Sequence, residues 1–219
     1  ASHAVPDANI LTMTDYLDAA VSMNDAVTIP VVVDVDQGYG NSINVIRMVQ
    51  KFEAAGIAGV IMEDKKFPKQ NSLLVGGKQE LASIAEFSGK IMAAKNAQRD
   101  DDFMVIARVE ALIAGWGHEE AKKRAKAYVE AGADAIMIHS KQSDPAEVIR
   151  FIEEWKEDIP IVIVPTNYYT LTEDKIKNHP KVKMVIYANH VIRSAVTSIK
   201  ETLKEIKEQG GIHTISEKL

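Results

Sequence analysis

The sequence predicts an α/β chain of the (β/α)8, TIM-type barrel class, and three observations carry that expectation. Six short apolar runs recur along the 219 residues, at 29–34, 59–63, 103–108, 135–139, 161–165 and 184–188. They are rich in Val and Ile and do not alternate with polar residues, as expected of strands buried on both faces of a parallel sheet. Helix-patterned stretches separate most of them. Almost every run ends in a polar group: Asp34 and Asp36, Glu63 and Asp64, Arg108 and Glu110, His139 and Ser140, Thr166, Asn189 and His190. An open doubly wound sheet concentrates its site at one switch point, whereas a barrel collects groups from many strand ends at one mouth. Six contributing strands favour the barrel. No Gly-x-Gly-x-x-Gly fingerprint follows a strand, which argues against a dinucleotide-binding sheet.

Taken in order, the chain opens with a helix-like piece at 14–24 and reaches its first strand only at 29. The stretch 44–55 places Val45, Met48, Val49, Phe52 and Ala55 on one helical face, and Gly56 follows as a left-handed terminator. After the second strand, residues 64–78 form a long polar connection broken by Pro68 and the pair Gly76 and Gly77. Such a connection at the active end of a barrel reads as a lid. The stretch 119–131, with Ala121, Ala125, Tyr128 and Val129 on one face, ends at Gly132. Residues 52–63 align with 128–139 as helix, glycine, tight turn, buried strand and polar end, so one βα module is used repeatedly. A last helical stretch covers 194–209. About six of eight βα units are therefore visible in a single domain over 1–219. The expectation is that two strands precede Ala1 in the natural protein and that a C-terminal helix is lacking.

Composition narrows the function. Lys and Arg total 26 against 31 Asp and Glu, a formal charge of −5. That balance disfavours a nucleic-acid or membrane-surface binder, which needs a basic face. Cysteine is absent, so disulfides, thiolate zinc sites and a cysteine nucleophile are excluded. A cytoplasmic location fits, and no apolar run is long enough for a membrane span.

The strand ends suggest chemistry. Asp34 and Asp36, spaced by two, share a face if the strand stays regular. Two carboxylates aimed at one point need a cation between them, and hard oxygen ligands suit Mg²⁺; Glu63 could join through water. The alternative is a solvated strand end, or an Asp capping the following loop. Arg108 lies within a buried run, so it should meet a phosphate or carboxylate, or else pair internally with Glu110. His139 ends its strand in the same way, as a structural histidine or as a functional one. Lys69, Asn71 and Ser72 lie on the lid, where a lysine is ordinarily solvated. Asp7 could be a turn residue. His118, at the start of an exposed helix, receives no role.

Together, residues 34–41 (Asp-Val-Asp-Gln-Gly-Tyr-Gly-Asn), 63–72 (Glu-Asp-Lys-Lys-Phe-Pro-Lys-Gln-Asn-Ser), 106–111, His139-Ser140 and 164–166 resemble the isocitrate lyase/phosphoenolpyruvate mutase superfamily over essentially the whole chain. Glu-Asp-Lys followed by Lys-x-Asn-Ser resembles its mutase branch. Lyase members carry a cysteine on this loop in a Lys-x-Cys-Gly-His pattern, so lyase chemistry is disfavoured here. Sister phosphonopyruvate hydrolases typically carry threonine where this chain has Asn71, which makes hydrolysis to pyruvate and phosphate the second expectation. A catalytically silent barrel module is the third. The resemblance implies Mg²⁺ held most directly by Asp36, with Asp34 and Glu63 holding its waters. It implies Asp7 beside the phosphonyl group as nucleophile or electrostatic guide. Arg108 and His139 would bind substrate oxygens, and Lys69, Asn71 and Ser72 would close over them. The implied reaction interconverts phosphoenolpyruvate and phosphonopyruvate, and the implied assembly is a homodimer or homotetramer.

Overall fold

The structure is a computed structural model that describes residues 3–74, 76 and 79–216. Gly77, one of the two predicted loop-breaking glycines, lies outside the described residues. In chain order the elements are α1 (Met13–Ala26), β1 (Val32–Asp34), α2 (Ser42–Ala54), β2 (Gly59–Glu63), α3 (Ile84–Ala97), β3 (Met104–Val109), α4 (Gly117–Glu130), β4 (Ala135–Ile138), α5 (Ala146–Glu154), β5 (Ile161–Ile163), α6 (Glu173–Ile176), β6 (Val182–Val185) and α7 (His190–Gln209). The strands form one six-stranded sheet in sequential order, and every neighbouring pair is parallel. A sequential parallel sheet with a right-handed crossover after each strand puts its helices on one face and curls towards a barrel.

The register sets where the polar ends lie. Asp34 pairs with Ile61, Glu63 with Arg108, and Val109 with Ile138. Val60, Met62, Val105, Ala107, Ile136, Ile138, Ile161 and Ile163 pack with the helix-facing core alongside Met48, Phe52, Phe87, Tyr128 and Phe151. Their alternating neighbours Ile61, Ile106, Met137 and Val162 are buried too. Burial of both strand faces explains the non-alternating apolar runs. At Gly59 an added Cβ would lie 2.8 Å from the Met104 carbonyl oxygen, so this strand start tolerates no side chain.

Local signals place the helices. Asn41 Oδ1 accepts from the amides of Ile43 and Asn44 at 2.9 and 3.4 Å and starts α2. Ser83 Oγ accepts from the Glu86 amide at 3.1 Å and starts α3. Gly56 and Gly132 end α2 and α4 at φ +78° and +102°, as their sequence positions predict. The strand bounds shift from the expected ones. β1 begins at Val32, with Ile29 exposed ahead of it, and β6 covers 182–185 rather than 184–188. Residues 5–186 form one compact unit and α7 belongs to a second one. Considered by itself, α7 exposes an apolar row of Ile192, Val196, Ile199 and Leu203. Among the described residues no helix is long and apolar enough to cross a membrane.

Candidate active site at the strand ends

The turn after β1 is the first part of the site. The strand stops at Asp34, and Asp36 sits in the left-handed region at φ +51°. The same-face expectation for Asp34 and Asp36 therefore fails, because it requires an extended backbone between them. Asp34 Oδ1 instead accepts from the Asp36 amide at 3.0 Å, an Asx-type turn, and its carboxylate stays about half exposed. The Asp36 carbonyl accepts from the Glu63 amide at 2.8 Å, which ties this turn to the end of β2. Asp36 is buried, and its Oδ2 accepts from Asn9 Nδ2 at 2.9 Å and the Tyr16 hydroxyl at 3.3 Å.

The connection after β2 folds back over this turn. Its base is pinned by a bridge between Lys65 and Leu81, with the Lys66 amide donating to the Glu80 carbonyl at 2.9 Å. From its tip, the Lys69 ammonium reaches Asp36 Oδ1, Asp7 Oδ1 at 3.0 Å and Glu63 Oε1 at 3.7 Å. Asn71 Nδ2 donates to Asp7 Oδ2 at 2.8 Å, while its Oδ1 accepts from the Leu73 amide at 2.9 Å. Ser72 Oγ donates to Glu110 Oε2 at 2.7 Å. Lys69 and Asn71 thus share Asp7, while Ser72 reaches the Glu110 side of the same cluster.

Arg108, on β3, completes the cluster. Its Nε lies 2.6 Å from Glu110 Oε1 and 3.7 Å from Glu63 Oε2, and one terminal nitrogen lies 2.8 Å from Ser72 Oγ. The other terminal nitrogen is 3.7 Å from Asp34 Oδ2. The two sequence readings of Arg108 therefore coexist: it pairs with Glu110 and it borders the site. Below this layer Asp64 is wholly buried. It accepts from the Glu110 amide at 2.9 Å, Arg124 at 2.9 Å and the Tyr128 hydroxyl at 2.6 Å, which anchors the loop base to α4.

The electrostatics follow from burial and pairing. Burial opposes charge on Glu110, but Arg108 and Lys65 outweigh it and hold its carboxyl low. Burial pushes Glu63 up against the pull of Arg108, with the Glu110 charge adding to the rise. Burial likewise pushes Asp36 up, opposed by Lys69. Asp7 is kept low because Lys69 and Asn71 overcome its partial burial. Burial would lower Lys69, but Glu63, Asp34 and Asp36 hold its ammonium firmly protonated. Near neutral pH the lid thus brings a fixed positive charge to the carboxylates.

His139 is buried just past β4, and its Nδ1 has no hydrogen-bond partner among the described residues. Burial first, then the Arg108 charge, pushes the imidazole down to about 4, so it is neutral at pH 7. The unfolded chain then binds a proton below about 6.5 that the folded chain refuses down to about 4. Stability from this residue is complete above pH 6.5 and is lost as the pH falls through that window. Between pH 7 and 5, the wild type should lose about 2 kcal/mol more than His139→Asn in paired urea melts. Equal losses would show that the imidazole is not held neutral.

The donor set fits a hard cation. Asp36 Oδ1 and Glu63 Oε1 are buried and both face a cation, the Lys69 ammonium, in direct contact for Asp36 and at 3.7 Å for Glu63. All candidate donors are carboxylate oxygens. Asp34, Asp36 and Glu63 do not converge within 4.8 Å of one another. Among the described residues the group that does converge so closely is His118, Glu119 and Glu154, where Lys122 and Arg150 already balance Glu154.

The structure thus joins Asp7, Asp34, Asp36, Glu63, Lys69, Asn71, Ser72 and Arg108 in one network. His139 is linked to it through the fields of Arg108, Glu110 and Lys65. Sequence reasoning missed Asn9, Tyr16 and Lys65, and gave Glu110 only a pairing role. Lys65 alone carried a signal, as part of the Glu-Asp-Lys motif.

A parallel βα enzyme core with carboxylates, an arginine and a lysine-bearing lid gathered at its strand ends defines the class. The chain matches the family described as phosphoenolpyruvate phosphomutase over residues 1–207, and it belongs to that family. It is 51% identical to the phosphonopyruvate hydrolase of Variovorax sp. (strain Pal2), over 98% of this chain and 74% of that protein. The crystal structure of phosphoenolpyruvate phosphomutase from Streptomyces platensis subsp. rosaceus superposes with a TM-score of 0.96 at 50% identity, covering 100% of this chain and 75% of that one. A phosphonopyruvate hydrolase in complex with oxalate and Mg²⁺ superposes at 0.93 with 49% identity, covering 100% and 75%.

Proposed function

We propose that this chain is a Mg²⁺-dependent phosphoenolpyruvate mutase, a cytoplasmic isomerase of phosphonate biosynthesis that interconverts phosphoenolpyruvate and phosphonopyruvate. The observation that carries this reading is the seated lid, with Asn71 bonded to Asp7 and Lys69 drawn onto Asp36. The reaction breaks a phosphorus–carbon bond and forms a phosphorus–oxygen bond within one substrate, so water has no place in its balance. Phosphoryl transfer of this kind depends on positioning and charge more than on a strong base.

In this reading Asp36 would hold Mg²⁺ most directly, with Asp34 and Glu63 acting through its waters. Bound Mg²⁺ supplies Lewis-acid stabilisation of the enolate charge. Arg108 and Lys69 hold the substrate carboxylate and the transferring oxygens with fixed positive charge. Neutral His139 serves as a hydrogen-bond partner for the phosphoryl group rather than as a cation. Asp7, kept ionised by Lys69 and Asn71, stands beside that group as nucleophile or guide. Ser72 and Asn71 keep the loop down and exclude water. The assembly is a homodimer or homotetramer, for which the exposed apolar row on α7 offers a surface.

The second reading is phosphonopyruvate hydrolysis, favoured by the 51% identity to the Variovorax hydrolase. Turnover of phosphonopyruvate in ¹⁸O-enriched water separates the two. The mutase reading expects phosphoenolpyruvate whose non-bridging phosphoryl oxygens carry no solvent ¹⁸O, since its bridging oxygen comes from a ketone that itself exchanges with water, and the hydrolase reading expects phosphate labelled by solvent, with pyruvate. Either turnover excludes a silent barrel module.

A further inference from the structure

Lys65 follows the Glu63-Asp64 pair and has no role in the reading above. It is 2% exposed, at the fixed base of the lid, opposite Leu81 in the bridge that closes the loop. Its ammonium points towards the lid tip. Nζ donates to the Gln70 carbonyl at 2.9 Å and to Ser72 Oγ at 2.6 Å, and lies 3.1 Å from Glu110 Oε2 and 4.0 Å from Glu63 Oε2. One buried ammonium therefore spans the loop from base to tip and ties it to the carboxylate that pairs with Arg108.

The Ser72 hydroxyl shows how closely this arrangement is specified. A serine hydroxyl has one proton and two acceptor sites. Lys65 and Arg108 can only donate, so they take both acceptor sites, and the remaining proton must point to Glu110. Every hydrogen-bonding position of Ser72 is used, and none is free to turn towards solvent. A buried ammonium is stable only with such a complete set of partners, so the pairing is mutual.

We propose that Lys65 is a positioning residue that seats the lid: it holds Gln70 and Ser72 down on Glu110 and so fixes Arg108 at the mouth of the site. The seat itself is independent of the reaction, while its kinetic consequence rests on the mutase reading. Lys65→Met keeps much of the side-chain length and removes the charge and all three donors. The test is hydrogen exchange of the ligand-free full chain, read at the Leu73 and Leu74 amides, which bond to Asn71 in the seated loop. Both should exchange about 10-fold faster or more in Lys65→Met, the loss expected for charge-assisted hydrogen bonds, while β2, β3 and α4 keep their protection. Unchanged loop exchange overturns the proposal, and so does a uniform acceleration across the sheet, which would make Lys65 a general stabiliser.

Should Lys65→Met fail to fold, Ser72→Ala removes the receiving hydroxyl and leaves the ammonium paired with Glu110. It should free the same two amides, and its failure to do so is equally decisive. With phosphonopyruvate and Mg²⁺, Lys65→Met should raise the ratio of phosphate to phosphoenolpyruvate, because an unseated lid admits water. Loss of folded protein lowers both products together and leaves that ratio unchanged. An unchanged ratio with a freed loop overturns the link from seat to reaction. A wild type that turns over no phosphonopyruvate defeats the mutase reading, and the exchange result still decides the seat.

Discussion

Asp36→Ala is expected to lower phosphonopyruvate turnover by more than about 100-fold, the upper end of what even outer partners of metal ligands cost, and to leave the chain folded. Asp36 is the buried carboxylate at which the turn after β1 meets the lid. Its left-handed backbone, the Asn9 and Tyr16 donors and the Lys69 ammonium all converge on it. Burial disfavours its ionised form, so removing the carboxylate relieves a desolvation cost that offsets the lost Asn9, Tyr16 and Lys69 contacts. The variant should also lose Mg²⁺ affinity in a direct titration without substrate, which separates a ligand from a residue that acts only on turnover. Exhaustive chelation of the wild type should abolish activity and leave its melting transition cooperative. Full turnover after chelation, or wild-type Mg²⁺ affinity in Asp36→Ala, would contradict the assignment.

The lid should give the second large effect, and its two tip residues should fail differently. Lys69 brings a permanently protonated ammonium to three carboxylates, so Lys69→Ala removes the charge that would meet a transferring phosphoryl group. Both the transfer and the hydrolysis should fall by about 100-fold or more, the scale of losing one charge-stabilising donor. Asn71 carries no charge. It ties the lid to Asp7 at one end of its amide and to the loop backbone at the other. Asn71→Ala opens a gap of water size beside Asp7, so mutase turnover should fall while a larger share of the remaining flux goes to pyruvate and phosphate. Rates and product ratio equal to wild type in Asn71→Ala would remove the lid from the account.

The strand ends were legible because burial leaves a chemical trace. A run such as 103–108 is apolar until Arg108, and an arginine there demands a partner. The helix stops were legible through Gly56 and Gly132, whose left-handed backbones match their positions after an apolar helical face. The turn at Asp34 and Asp36 was legible only as alternatives, a shared face on a regular strand or an Asp capping the loop, and the structure takes the second. Spacing of two implies a shared face only in extended backbone, and no residue pattern announces that Asp36 turns left-handed. Asn9 and Tyr16 stayed hidden because their roles arise from contacts across 27 and 20 residues, which no local spacing encodes. Lys65 stayed hidden for a different reason. In sequence the Glu-Asp-Lys motif marks its position without giving it a task, and in the fold burial separates it from the adjacent Lys66, whose side chain is 58% exposed.

Phosphorus NMR of the purified chain with phosphonopyruvate and Mg²⁺ tests the central claim most directly. It observes the phosphorus–carbon bond break and identifies where the phosphorus goes. The account predicts decay of the phosphonate resonance with growth of phosphoenolpyruvate as the first product. Inorganic phosphate as the sole product from the earliest time point, with no phosphoenolpyruvate at any stage, would contradict it.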